Sequence, residues 1–197
     1  MKAKPVLGLQ LAAMALLIAL AAAFPDRFAA ALARPGLYAH AKFVHVLAVA
    51  LFFGNVVIGT LWETRCLLSK RAEIIRYTYE TVAWLDAFFT APLILLVVLS
   101  GLTLATALGG LWSMGWLTAA FGLFLLSGLV WVAADIPTQY RVKRLFAEVP
   151  PRSETLPPEL TRVLWFRLGL NVFAIVPLLV VFALMIHKPD LPALLRS

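Results

Sequence analysis

A chain of 197 residues that is 62% hydrophobic and 14% charged, with a mean hydropathy of +0.92, is not a soluble globular domain, for which about 45–50% apolar and about 25% charged residues are usual. No compact core absorbs that excess, so lipid must solvate much of the surface. The formal charge of +7 does not point to nucleic acid, because the basic residues gather beside the ends of apolar runs, where topology and anionic lipid account for them at about 1 kcal/mol each.

A membrane-spanning helix needs roughly 20 mainly apolar residues, and five stretches qualify. Pro5 to Pro25 carries no charge. Lys2 and Lys4 before this run, and Ala21-Ala22-Ala23 at its end, resemble a secretory signal peptide. We read residues 1–30 instead as a retained, signal-anchor-like first helix. A short outer loop over residues 25–41 contains the breakers Pro25, Pro35 and Gly36. Phe43 to Trp62 is the second span, with His45 its only ionisable group. Residues 63–81 are expected to form an inner loop. There Leu67, Leu68, Ile74, Ile75 and Tyr79 alternate with Lys70, Arg71 and Arg76, which suggests a helix extension lying on the headgroups. Ala87 to Ala134 is charge-free and too long for one span, and Gly109-Gly110 divides it into the third and fourth. The longest loop, residues 135–163, holds Pro137, Pro150, Pro151, Pro157 and Pro158. Each proline there removes a backbone donor and fixes φ. Leu168 to Ile186 is the fifth span, and residues 191–197 form a short outer tail.

The expected fold is therefore all-α, a polytopic membrane protein of five transmembrane helices. Residues 31–190 hold a four-helix core, to which the N-terminal helix is added. Cytoplasmic loops are enriched in Lys and Arg, and this sets the orientation. With the N-terminus inside and the C-terminus outside, the inner set is Lys2, Lys4, Arg65, Lys70, Arg71, Arg76, Arg141, Lys143, Arg144, Arg152, Arg162 and Arg167. The outer set is only Arg27, Arg34, Lys42, Lys188 and Arg196. The tryptophans agree. Trp62, Trp84, Trp131 and Trp165 fall near inner ends and Trp112 and Trp116 near outer ends, as an interfacial belt requires.

Two groups of residues stand out as chemistry. All three histidines lie near the outer face. His45 sits about 3 residues inside the second span, and an ionisable group within a span is a functional-site candidate by default. His187 ends the fifth span at matching depth, so His45 and His187 form a candidate ligand pair for b-type haem. With His40 or Met114 they form a candidate copper or zinc site. The alternatives are a hydrogen-bonded structural His45, a His187 that caps its helix among the headgroups, and a His40 that sits in the loop.

A second, polar layer lies toward the cytoplasm. Asp86 opens the third span. Asn55 and Asn171 lie roughly 10 Å deep, and Arg167 approaches the same level. Asp86 is expected to pair with Arg167, or with Asn55 and Asn171, either as interhelical glue or as a proton or ion site. Pro92 and Pro177 interrupt the third and fifth spans, freeing the carbonyls of Phe88 and Phe173. Lone Cys66 supports neither a disulfide framework nor a zinc site. There is no phosphate loop, CxxC, CxxCH, HExxH or GxSxG motif, and the chain reads as no enzyme by itself.

From Lys42 to Pro189 the chain resembles domain-of-unknown-function family 2269, a group of bacterial integral membrane proteins. The resemblance rests on Lys42-Phe43-Val44-His45 with Gly54-Asn55, on Asp86 with Phe89-Thr90-Ala91-Pro92, and on Ser100-Gly101 and Trp116-Leu117. It continues through Trp131 with Pro137, Leu156-Pro157, Trp165, Met185 and Lys188-Pro189. It implies a four-helix core in a bacterial inner membrane, with no established activity. Lys42 to His45 also has a weaker similarity to CopD-type copper-resistance proteins and to haem-binding protoporphyrinogen-oxidase-like membrane proteins, which implies a haem or copper role for His45. The leading expectation is an outer-leaflet histidine site for b-type haem or a transition metal, serving electron transfer or haem or metal handling. The alternative is a cofactor-free transporter, or an accessory subunit with a membrane partner or a second copy, built on Asp86, Asn55, Asn171 and Arg167.

Overall fold

The computed structural model describes residues 3–32, 34, 36–150, 153 and 156–192. Lys2, Pro35, Pro151, Arg152 and Arg196, used above, lie outside the described residues, as does the side chain of Lys4. The architecture is all-α. Helix α1 spans Ala3–Ala23, α2 Pro25–Leu32, α3 Leu37–Leu68 and α4 Ala72–Leu85. They are followed by α5 (Ala91–Ala107), α6 (Gly115–Val130), α7 (Ile136–Ala147) and α8 (Pro158–His187). Among the described residues, 5 helical segments are long and apolar enough to cross a membrane: Pro5–Ala23, Leu37–Leu68, Ala72–Ala107, Gly115–Ala147 and Pro158–His187.

The third and fourth of those long segments are continuous because a π-helical turn joins their two halves. Asp86–Thr90 links α4 to α5, and Trp131–Asp135 links α6 to α7. In each turn the backbone bond skips one residue further than in an α-helix, from Ala91 N–H to Asp86 O and from Ile136 N–H to Trp131 O. Pro92 and Pro137 follow these turns directly. A proline inside a helix lacks its N–H and crowds the preceding turn, and a π-turn is one way a helix absorbs such an insertion. Pro177 lies inside α8.

The expected division at Gly109-Gly110 is present. Both residues are left-handed, with φ of 90° and 104°, and the Gly110 N–H closes α5 by bonding to Ala105 O at 2.8 Å. That conformation is strained for any residue with a Cβ.

The bundle is built around α5, which packs on α3 and α1, while α8 packs on α6 and α3. The outward faces remain apolar, with Leu47, Ile58, Leu126, Leu129, Phe173 and Val176 among the exposed large side chains. This is the surface a bilayer solvates.

The stretches expected to be inner loops, residues 63–81 and 135–163, are largely helical. At 32 residues, α3 is roughly 48 Å long, longer than a hydrocarbon core of about 30 Å. Its end packs with α4, α7 and the start of α8. Cys66, Leu67, Ile75, Tyr79, Val142, Phe146, Leu160 and Leu164 form a buried cluster there. The apolar face that suggested contact with headgroups is therefore covered by protein, although Leu68 stays exposed. Arg76 fastens this layer by donating to Phe146 O at 2.9 Å and Val149 O at 2.6 Å, carbonyls at and just beyond the end of α7, where the regular helical bonding runs out.

Candidate functional site

Two partly open cavities, among those formed by the described residues, lie toward opposite ends of the bundle. The first has a volume of about 410 Å³ and is lined by Asn55, Glu63, Asp86, Thr90, Asp135, Arg167 and Asn171, with apolar residues from every spanning segment. Asp86, Asn55, Asn171 and Arg167 are thus brought to one place, as expected, but their partners differ from the expected ones. Gln139 of α7 donates from Nε2 to Asp86 Oδ2 and to Asp135 Oδ2 at 3.1 Å. Arg167 Nη2 pairs with Asp135 Oδ1 at 3.2 Å. Its Nη1 donates to Asp135 O at 3.0 Å and to Thr138 Oγ1 at 3.4 Å, and its guanidinium lies 5.4 Å from the centroid of the Tyr79 ring. Asn171 donates to Glu63 Oε1 at 3.0 Å, and Asn55 donates to Thr90 Oγ1 at 3.0 Å.

Arg167 is 1% and Glu63 2% exposed. Even so, among the described residues Arg167 Nε has no hydrogen-bond partner and Asp135 Oδ1 has only its ion pair, while the Glu63 carboxyl and the Tyr79 hydroxyl interact with one another. Buried polar atoms are nearly always satisfied. An unmet guanidinium N–H and a carboxylate oxygen held only by an ion pair, both in the wall of one cavity, leave a place for water, a proton or a polar solute.

Each spanning helix supplies its members by helical spacing. Arg167 and Asn171 are four apart on α8, and Asp135 and Gln139 are four apart across the second π-turn, so each pair shares a face. Glu63 lies eight residues beyond Asn55, again on one face of α3. Glu63, Asp135, Gln139 and Tyr79 are not among the expected site residues, because hydropathy ends the apolar runs before them and places residues 63 and 135 at the start of loops. The signal that could have found them is this spacing, continued past the end of the apolar run.

The second cavity, of about 450 Å³, lies at the other end and is lined by His45, Lys42, Lys188, Tyr38, Trp116 and Met185 together with apolar side chains. Ser100 Oγ donates its proton to Leu96 O at 2.5 Å, and His45 Nδ1 lies 3.1 Å from the same Oγ. A hydroxyl has one proton, so Nδ1 is the donor to Ser100 and Nε2 keeps its lone pair. Gly101 makes room for the ring, since a Cβ at that position would sit 3.1 Å from His45 Cε1.

His187 and His40 are exposed and do not line this cavity, whereas Met185 does. Among the described residues no three His, Cys, Asp or Glu side chains converge on a point that a metal ion could occupy. Trp62, Trp84, Trp112 and Trp165 are exposed as interfacial anchors would be, but Trp116 is only 8% exposed. It lies in the cavity wall, with Lys188 Nζ 5.7 Å from its ring centroid.

The chain belongs to the family described as predicted integral membrane protein (DUF2269), whose profile matches residues 39–189. The match takes in α3 from its third residue to α8 and most of the lining of both cavities, and leaves out α1 and α2. No curated protein and no solved structure matches the chain, so the weaker similarity to copper-resistance and haem-binding proteins gains nothing from them.

Proposed function

We propose that this multi-pass membrane protein is a small proton-coupled carrier, with the Asp86 cavity as its proton site. The observation that carries the reading is an imbalance of charge. Glu63, Asp86 and Asp135 line one cavity, and Arg167 is the only cationic side chain among its described lining residues. Three carboxylates against one guanidinium would leave two negative charges away from water, at a cost of several kcal/mol per ion. Protons restore the balance, and the hydrogen-bonded chain Asp86–Gln139–Asp135–Arg167 holds the carboxyls where gain or loss of a proton changes the pairing of all of them. Intramembrane ionisable residues grouped in this way mark proton and ion pathways.

In this reading the chain runs N-in and C-out across a bacterial inner membrane. The Asp86 cavity then opens near the cytoplasmic side and the His45 cavity near the outer side. The N-terminal helix is an addition to the family core: Leu11, Met14, Ala15 and Ile18 of α1 close the wall of the Asp86 cavity.

The test is proton uptake into vesicles containing the purified protein, driven by an imposed potential and followed with an internal pH dye. Asp86→Asn and Glu63→Gln should abolish or greatly reduce the flux, while His45→Ala should retain it. A wild-type flux no faster than that of empty vesicles, or variants with undiminished flux, would sink the proposal.

A second reading is favoured by one observation at the other cavity. His45 and Met185 both line this cavity, and His with Met is a donor set suited to copper or to b-type haem. It takes the place of the His45–His187 pair. An oxidised and dithionite-reduced optical spectrum with elemental analysis decides it: a Soret band or stoichiometric copper lost in His45→Ala supports it, and a colourless, metal-free protein ends it.

A further inference from the structure

The cavity around His45 has a one-sided chemistry that the proton reading does not use. Its ionisable lining residues are Lys42, His45, Lys188 and Tyr38, and no carboxylate is among its described lining residues. Everything else is apolar, including Val49 and the pair Phe53 and Phe182, whose ring centroids lie 5.0 Å apart with the planes tilted by 59°. At about 450 Å³ it falls within the roughly 300–1,000 Å³ of small-molecule sites. Such a site recognises its ligand by a few polar groups set against an apolar wall.

Lys188 adds an independent sign. It closes α8 in the left-handed region at φ 44°, with its N–H bonded to Leu184 O. Glycine or asparagine takes that position most readily. A lysine there accepts an unfavourable backbone, and its ammonium stands over Trp116 in the cavity wall rather than reaching away from it.

We infer that the His45 cavity binds a single-chain amphiphile with an anionic head. The head sits between Lys42 and Lys188, with Nε2 of His45 as a further polar partner, and the chain runs along the apolar wall toward Phe52 and Phe124. The shared chemistry is a carboxylate or phosphate on one acyl chain, so the ligand is either a free fatty acid or a lysophospholipid drawn from the membrane. This goes beyond the proton reading and does not require it.

The experiment uses the full-length protein in nanodiscs and the quenching of tryptophan fluorescence by dibromostearate, read through Trp116, with Trp116→Phe as the control for the other indoles. The expected result is saturable quenching that is absent in Trp116→Phe. It weakens roughly tenfold or more in Lys42→Ala/Lys188→Ala, as loss of a charge-assisted hydrogen bond predicts, and recovers in Lys42→Arg/Lys188→Arg. Dibromostearyl alcohol should bind much more weakly, and Asp86→Asn should bind normally, which separates failure here from failure of the proton site. Competition by oleate identifies a fatty-acid site, and competition by oleoyl lysophosphatidate alone identifies a phosphate-headed lipid; either supports the assignment. Equal quenching by acid and alcohol, or binding unchanged in the double alanine variant, would overturn it.

Discussion

Replacing Arg167 by methionine tests whether the Asp86 cluster is held by charge. The guanidinium is 1% exposed. It makes one ion pair at 3.2 Å to Asp135, two further hydrogen bonds at 3.0 and 3.4 Å, and a stacking contact with Tyr79. Methionine keeps much of the bulk but leaves Asp135 without its cation, and removing one partner of a buried pair costs about 3–5 kcal/mol. At roughly 2–4 °C per kcal/mol for a chain of this size, the midpoint of thermal unfolding in detergent should fall by about 10 °C. Asp135→Asn in the same chain removes the orphaned charge, so the double variant should recover most of the loss, giving a coupling energy of about 2 kcal/mol or more in a double-mutant cycle. Arg167→Lys should recover less, because a point charge cannot reproduce the forked contacts to Asp135 and Thr138. A loss below about 1 kcal/mol for Arg167→Met, or additive effects of the two changes, would refute the view that one guanidinium organises these carboxyls.

Three further outcomes follow from the same structure. Arg141→Ala should cost less than about 1 kcal/mol in the same unfolding assay, even though its 2.6 Å contact with Glu159 is shorter than that of Arg167, because both partners are half exposed. Gly101→Ala, elsewhere a gain of about 0.5–1 kcal/mol in a helix, should instead displace the His45 ring, whose Cε1 would lie 3.1 Å from the new methyl. Nitrogen chemical shifts of His45 should then lose the Nδ1-protonated pattern, and an unchanged pattern would show that the ring is not held by Ser100. A C-terminal alkaline phosphatase fusion should be active and a cytoplasm-dependent fluorescent fusion dark; the reverse would overturn the N-in, C-out orientation.

Level along the helices was legible in the sequence and facing was not. The apolar runs, the Gly109-Gly110 break and the shared level of Asp86, Asn55, Asn171 and Arg167 at one cavity all follow from length and a rise of 1.5 Å per residue. Matching His187 to His45 also used depth, but the inward stripe of α8 runs through Arg167, Asn171, Ala174, Leu178, Phe182 and Met185, at the three- and four-residue steps of one helix face. His187, two residues past Met185, falls off that stripe. Glu63 and Asp135 escaped for a different reason. A charge ends an apolar run, so hydropathy reads it as a loop, whereas the helices continue past the bilayer and pack on each other. The π-turns were illegible as well. Pro92 and Pro137 announced a disturbance, but only the backbone shows that it is spread over a wider turn rather than a break.

The two cavities meet at a thin wall. Phe52, Val98, Phe124 and Leu178 line both, one residue from each of α3, α5, α6 and α8. All four are apolar and have no hydrogen bonds to break, which makes the wall inexpensive to rearrange compared with the polar network beside it. Pro177 adjoins Leu178 in this wall on α8, and the two π-turns lie roughly 10 Å along their helices from Val98 and Phe124, where Thr90, Trp131 and Asp135 line the Asp86 cavity. A carrier needs a barrier that yields to one side at a time and a charge site whose state depends on which side is open. In the carrier reading, the proton site lies on one side of this wall and the basic, apolar-walled site on the other. Movement of the helices at their irregular turns would then couple the two without any further part.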